Sequence, residues 1–320
     1  MMNTITDVPG IKVGHAHNLK AGTGCTVILC EKGAVAGVDV RGGAPGTREI
    51  DSLSPVNLVN RIHAIYLGGG SAFGLDGASG VMQYLKEHEI GFDAGVAKVP
   101  IVPGAVLFDL VVGSPAIWPD ADMGYTACQQ ARAENCEQGS IGAGTGATVG
   151  KVAGPACIMK GGLGTASYSS GDLIVGAIVA VNCYGDVIDH RSGNILAGTL
   201  QPDKKHLANS MDLLLKEPGK GSRVFPTNTT IGVIATNVGF TKVQATKIAM
   251  MAHDGYARAI NPVHTMYDGD TIFCVSTGDV ESDITAIGSI AAHVMAQAIA
   301  NAVIQAESLF GIPSYRDIYV

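Results

Sequence analysis

The chain has 320 residues, of which 47% are hydrophobic and only 15% charged, and its net charge is −7. That length gives one large domain or two modest ones, with ample material for a core and no case for disorder. A net negative charge without a basic cluster argues against nucleic acid as a partner. The first residues, Met1 to Asp7, have neither the basic nor the apolar region of a secretory signal, so a cytoplasmic location is expected. Seven cysteines, odd in number and without a CxxC pair, fit reduced thiols. Glycine is abundant at 43 residues while aromatics stand at 5%, which implies a core of Ala, Val, Ile and closely packed backbone.

Along the chain, the first forty residues read as strands. One ends at Gly14, a second spans Cys25 to Glu31, and Gly33 turns into a third, Ala34 to Asp39. Ala64 to Leu67 is a buried strand, Gly68 to Ser71 a tight turn, and Leu75 to His88 a helix. A second helix is expected over Met123 to Asn135. Residues 141 to 170 are dense in glycine, and Asp172 to Asn182 is an apolar run suited to a fully buried strand. His206 to Lys216 predicts a short helix, closed by the breaker at residues 216–221. The polar, Pro- and Gly-broken run from Gln201 to Asn228 leads into Asn228-Thr229-Thr230, after which the chain becomes the apolar strand Ile231 to Thr236. The helix Lys242 to Ile260, the strand Thr271 to Thr277 and a long C-terminal helix follow. Ile284 to Ala306 carries no formal charge and is about long enough to cross a bilayer. Its polar residues at 285, 289, 293, 297, 301 and 305 recur every four positions and draw one wet stripe, so it reads as a core helix and no membrane is expected as a partner. Alternating strands and helices, with hairpins favoured over βαβ units, predict layered α/β with mixed or antiparallel sheets.

The junction at Asn228-Thr229 carries the sharpest chemistry. Threonine is a weak nucleophile, and an α-amine liberated on the same residue is one of the few bases placed to activate it. A hydroxyl residue opening a buried strand behind a broken loop suits a nucleophile exposed by cutting the backbone before it. The same residues also read as a plain strand start, or as the glycosylation acceptor Asn228-Thr229-Thr230, which the missing signal disfavours. Asp268 and Asp270 bracket Gly269 just before an apolar strand and would point to one side if extended; they could orient an ammonium group, or simply form an Asp-Gly turn. One Asp-x-Asp is too few ligands for a metal, and no metal site or cofactor is expected. Lys151, in a stretch of low charge density, could lower its pKa or stabilise an oxyanion. Asn182 ends the longest apolar strand, where a buried amide must be hydrogen-bonded, as a clamp or as an oxyanion donor. None of the nine histidines stands out as a base. The glycine runs at 68–74 and 146–151 fail the nucleotide fingerprints: Phe73, Thr145 and Val152 occupy required positions. Anion binding by the amides of Gly69, Gly70 and Ser71 stays open as a pocket feature.

Taken together, Thr6 to His15, Val40 to Gly46, Gly68 to Leu75, Lys160 to Ser167, Asn228 to Ile231 and His264 to Thr271 resemble one family. It is the β-peptidyl aminopeptidase / L-aminopeptidase–D-amidase family of self-cleaving N-terminal-nucleophile hydrolases, which includes the 6-aminohexanoate-oligomer hydrolase. The resemblance implies a four-layer αββα sandwich with mixed sheets, shared with the ornithine acetyltransferase type. It implies a cut between Asn228 and Thr229, giving chains 1–228 and 229–320 with Thr229 as nucleophile. By position it makes Asn182 the oxyanion asparagine, Lys151 the lysine near the nucleophile, and Asp268 and Asp270 the acidic support. It also implies homo-oligomers. The Asp-Gly-Asp and the threonine lie closer to the oligoamide hydrolases than to the peptidase branch. Phe108 stands where relatives carry a tyrosine, which removes a hydroxyl from the pocket. An acyltransferase of the ornithine acetyltransferase type and a non-catalytic Gly-rich binding protein are the alternatives.

Overall fold

The computed structural model describes residues 2–216, 218 and 228–320; most of the breaker expected at 216–221, and the polar run directly before Asn228, lie outside them. In chain order the main strands are β1 (Lys12–Asn18), β2 (Thr23–Val40), β3 (Ile62–Gly68), β4 (Gly104–Val106), β5 (Gly162–Ser170), β6 (Leu173–Asn182), β7 (Thr229–Val238) and β8 (Thr271–Val280). The helices that cover them are α1 (Gly77–Glu87), α2 (Ala121–Gln129), α3 (Ser210–Lys216), α4 (Lys242–Ala259) and α5 (Ile284–Ile304).

The strands are hydrogen-bonded in the order β5-β6-β7-β8-β2-β3-β4, with β1 on β2 and the short strand Thr47–Arg48 beyond β4. β7 and β8 are parallel, as are β3 and β4, and the other neighbours run antiparallel. Mixed sheets are therefore present as expected. Gly33 does take the left-handed backbone of a turn, at φ +76°, but it does not break the chain into two strands. β2 runs on through it as one long strand, and its pairing with β3 shifts register between Leu29 and Ala34. Its first half pairs with β1 and β3, while Val35 to Val40 pair with β8. A strand bent by such an irregularity can serve two sheet layers at once.

Side-chain alternation sorts the interior into three apolar layers. Ile28, Ile65, Leu67, Ile178, Ala180, Ile231, Val233, Phe273 and Val275 meet between the two halves of the sheet. Val179, Val181, Ile234, Ile272 and Cys274 point the other way, onto α4 and α5. Val27, Leu29, Ala64 and Tyr66 face α1 and α2. Helix, sheet, sheet and helix thus stack as the four-layer αββα arrangement. Each fully buried Val, Ile or Leu contributes roughly 1.5–3 kcal/mol, so a single inward polar substitution on β7 would be felt.

α5 is the one described helix long and apolar enough to span a membrane, but two-thirds of its apolar window is buried in this packing. Thr285, Ser289 and His293 form its exposed stripe, and Gln297 and Asn301 continue it half-buried. At Gly164 on β5 a Cβ would stand 2.0 Å from the Ala298 carbonyl oxygen. That close approach of backbone to backbone is what the glycine-rich composition serves.

Two helix expectations need correction. α2 is capped by Asp120, whose carboxylate accepts from Met123 N at 2.9 Å, and ends at Gln129 because Arg132 turns away to bridge Val13. α3 begins only at Ser210, whose amide is held by Asp186 at 2.6 Å, while Leu207 is taken up by a bridge to Leu200. Both stops come from partners distant in sequence, which local pattern does not carry. All seven cysteines are unpaired.

Candidate active site

β7 enters the sheet at Thr229, opposite Asn182 on β6, and Ile231 two residues on lies beside Thr271 on β8. The end of the longest apolar strand, the junction and the loop before β8 are brought to one point by register alone. Thr229 is buried, and its Oγ1 donates to the carbonyl oxygen of Asn228, the residue before it. The same carbonyl accepts from Gly269 N at 3.2 Å, and Asn228 Nδ2 reaches the Tyr267 carbonyl at 3.3 Å. Asn228 is only 2% exposed, a burial that a glycan could not share.

Asn182 is fully buried and held from two sides. Its Oδ1 accepts from Thr148 N at 3.0 Å and from Lys151 Nζ at 2.8 Å, and its Nδ2 donates to the Phe108 carbonyl at 3.0 Å. Lys151 Nζ also reaches the Asn182 carbonyl at 3.0 Å. Burial pushes the Lys151 amine down to about 7, against the opposing pull of Cys183, Asp268 and Asp109. An amine in that range is poised to exchange its proton near neutrality.

The acidic pair is buried as well. Asp268 Oδ1 accepts from Tyr184 N at 3.2 Å, and Oδ2 accepts from Thr265 N at 3.0 Å and Thr265 Oγ1 at 2.5 Å. Burial first, and then the neighbouring charge of Asp270, push the Asp268 carboxyl up to about 6. Asp270 Oδ1 accepts from Thr230 N at 2.8 Å, the amide next to Thr229. Its Oδ2 takes His264 N at 3.1 Å and His264 Nδ1 at 2.8 Å. Asp270 thus pins the entry of β7, while Asp268 braces the loop that presents Gly269.

A cavity of about 110 Å³ opens on Thr229, walled by Ala44, Pro45, Ser71, Val106 and Phe108 among others. Ser71 and Phe108 therefore line the cavity beside Thr229, whereas Gly69 and Gly70 are not part of its lining. The anion-binding reading of that turn does not hold. Gly69 N donates to the Gly24 carbonyl at 2.9 Å, Gly70 N to Asp109 Oδ1 at 2.6 Å, and Ser71 N to the Leu107 carbonyl at 2.9 Å. Its amides are spent on building the wall.

Two buried charges behind the site escaped the sequence reading. Lys160, fully buried, donates to the Thr145 and Ala147 carbonyls at 2.7 and 2.8 Å and so braces the segment that leads to Thr148 and Asn182. Burial pushes its amine down to about 7, and burial pushes the nearby Asp109 carboxyl up to about 6. The available signal was a lone charge between Met159 and Gly161 in an otherwise apolar, glycine-rich run. The consequence for stability has a definite sign. The unfolded chain keeps the lysine proton up to about 10.5, the folded chain only up to about 7, so between those values the unfolded state binds more protons. Stability from this group rises with pH there, by about 1.4 kcal/mol per pH unit. In thermal unfolding at pH 7.5 and 9, Lys160→Met should therefore lose ground to wild type as pH rises; an unchanged difference in Tm would show that the buried amine keeps its proton in the folded state as it does in the unfolded one.

Residues 3–315 match the model of peptidase family S58. The chain belongs to that family. It is 43% identical, over 99% of its length and 94% of the relative's, to an uncharacterised aminopeptidase of Mycobacterium leprae. It is 34% identical to the 6-aminohexanoate-oligomer endohydrolase of Paenarthrobacter ureafaciens, over 92% of this chain and 84% of that one. The fold of this S58 member matches the L-aminopeptidase D-Ala-esterase/amidase of Ochrobactrum anthropi with a TM-score of 0.73 at 18% identity, over 98% of this chain and 88% of that one. It also matches a Burkholderia sp. β-aminopeptidase with a TM-score of 0.66 at 21% identity, over 96% of this chain and 87% of that one. The first of these is described as a variant of the Ntn hydrolase fold, in agreement with the layers above. The resemblance read in the sequence is borne out, and the chain is a hydrolase of peptide or amide bonds.

Proposed function

We propose that this chain is a self-processing amidohydrolase that cuts itself between Asn228 and Thr229 and then uses Thr229 as its N-terminal nucleophile. The observation that carries this reading is the contact of Thr229 Oγ1 with the Asn228 carbonyl oxygen, in a buried site that also holds an amide, an amine and two carboxylates. In the uncut chain Thr229 Oγ attacks the Asn228 carbonyl carbon, the peptide C–N bond breaks, and an ester links the two residues. Gly269 N–H faces the oxygen on which charge develops. The proton of Oγ ends on the leaving nitrogen, so the shift itself frees the Thr229 α-amine; water then hydrolyses the ester, restoring the Thr229 hydroxyl and leaving a carboxylate on Asn228.

On a substrate, Thr229 Oγ attacks the amide carbonyl and the α-amine takes its proton. The proton passes to the leaving amine, and water then releases the acyl group from Thr229. Asn182 Nδ2, its other end fixed by Lys151 and Thr148, supplies a donor to the oxyanion. Asp270 keeps the entry of β7 in place, and the role proposed for Asp268 is to favour the ammonium of the working enzyme by its charge. The substrates proposed are amides of short peptides, amino-acid amides or ω-amino-acid oligomers, in keeping with the small cavity and with the oligoamide hydrolase among the relatives.

Intact mass under denaturing conditions tests the proposal. Two chains that meet between Asn228 and Thr229 are the expected result. Amide hydrolysis by a chain that stays whole would overturn it.

A further inference from the structure

His264 was set aside in the sequence with the other histidines, yet its place is unusual in three ways. Its backbone is left-handed, at φ +55°, a conformation that residues with a Cβ rarely adopt. That conformation lets one residue give Asp270 Oδ2 both a backbone N–H and a ring nitrogen, at 3.1 and 2.8 Å. The far ring nitrogen, Nε2, is buried and has no hydrogen-bond partner among the described residues.

These facts fix the ring's protonation. A carboxylate oxygen is an acceptor, so Nδ1 must carry the hydrogen. A second proton on Nε2 would be a buried donor without an acceptor, which is costly. The surroundings agree. From α4, His253 meets the ring edge-on at 4.8 Å and Tyr256 lies at 6.0 Å. His253 Nε2 faces the Asp39 carbonyl at 3.1 Å, Asp39 is paired with Arg41, and burial pushes His253 down to about 4, so it stays neutral. From its own loop the charged groups are Asp270, and Asp268 beyond it.

We propose that His264 is a positioning residue of this site: as a neutral ring with hydrogen on Nδ1, it fixes one oxygen of Asp270 so that the other keeps the Thr230 amide, and with it the Thr229 hydroxyl, in line. The contact runs from His264 through Asp270 to the amide adjoining the nucleophile, with no contact between His264 and Thr229 required. The proposal rests on the reading of Thr229 as the nucleophile, and it adds a residue that acts on the nucleophile only through Asp270.

Two substitutions respect the left-handed backbone. His264→Asn keeps a side-chain N–H donor near the place of Nδ1, and His264→Gly removes it. The readout is kcat and KM measured separately, on whichever p-nitroanilide of L-Ala, D-Ala, β-Ala or 6-aminohexanoate the wild type hydrolyses fastest. The asparagine variant should stay within about threefold of wild type, and the glycine variant should fall by roughly 10²-fold in kcat with KM within about threefold, since the nucleophile is held less well in line while the pocket is untouched. A glycine variant that keeps the wild-type kcat or loses only in KM, or an asparagine variant that falls as far as glycine, would overturn the proposal. Should the glycine chain fail to fold, ¹⁵N spectra of histidine-labelled wild type, with His264 assigned by difference from His264→Asn, still decide. Hydrogen on Nδ1 is expected, and hydrogen on Nε2 overturns the assignment. A wild type that stays whole and hydrolyses none of the anilides would count against the nucleophile itself and leave the tautomer measurement to judge His264.

Discussion

Thr229→Ala is expected to leave one uncut 320-residue chain without amidase activity. The same hydroxyl is asked to attack twice, first the Asn228 carbonyl and then the substrate, so its loss removes both reactions together. The substitution costs the fold little. β7 stays paired with Asn182 through the backbone, Asp270 still accepts from Thr230 N, and the small methyl left at Cβ points to the cavity. Stability should fall by no more than about 1 kcal/mol, whereas activity should fall by at least about 10⁴-fold. Thr229→Ser separates chemistry from shape. It keeps the oxygen but loses the branched Cβ that restricts χ1, so it should still cut, with Oγ spending less time against the Asn228 carbonyl. Mass analysis and anilide turnover on the two variants read both effects. A cut and active alanine variant would remove Thr229 from the mechanism altogether.

The parts of the fold visible in the sequence were those written in short-range pattern. The polar residues of α5 recur every four positions because one face meets solvent and the other the sheet, and β6 is a continuous apolar run because both its faces are covered. The path of β2 was not visible. Gly33 looks locally like a turn and takes a left-handed φ of +76°, and it is the pairing of Val35 to Val40 with β8, some 235 residues away, that carries the strand on past it. The site divides along the same line. Thr229, Asn182, Lys151, Asp268 and Asp270 each carry a local peculiarity: a hydroxyl opening an apolar strand, an amide closing one, a charge among glycines, a doubled carboxylate. The structure brings all five to one buried corner. His264 carries no such mark, since its significance depends on a left-handed backbone and on α4 packing behind it. Lys160 and Asp109 act only through carbonyls and amides that other segments deliver, and Asp186 sets the start of α3 from more than twenty residues upstream.

Gly269→Ala should block self-cleavage although it removes no functional group. Gly269 lies between the two aspartates, and the loop that holds it is braced at both ends, by Thr265 on Asp268 and by His264 on Asp270. Its N–H faces the Asn228 carbonyl at 3.2 Å. A Cβ there would lie 2.8 Å from Thr229 Oγ1 and 2.6 Å from the Ala44 carbonyl oxygen, both nearer than carbon and oxygen tolerate. One of three things must then move: the hydroxyl, the wall at Ala44, or the loop itself. A displaced hydroxyl loses its approach to Asn228, and a displaced loop withdraws the N–H from the oxygen that gains charge. Loss of one such donor is worth roughly 10²–10³-fold in rate. Retreat of Ala44 alone would relieve only one of the two clashes and leave the contact with Thr229 Oγ1. Cleavage slowed by at least about 10²-fold is therefore expected, followed by intact mass over days, with unfolding temperature measured alongside to separate a misplaced nucleophile from a lost fold. A Gly269→Ala chain that folds and cuts at the wild-type rate would mean that the loop between the aspartates does not touch the reacting carbonyl.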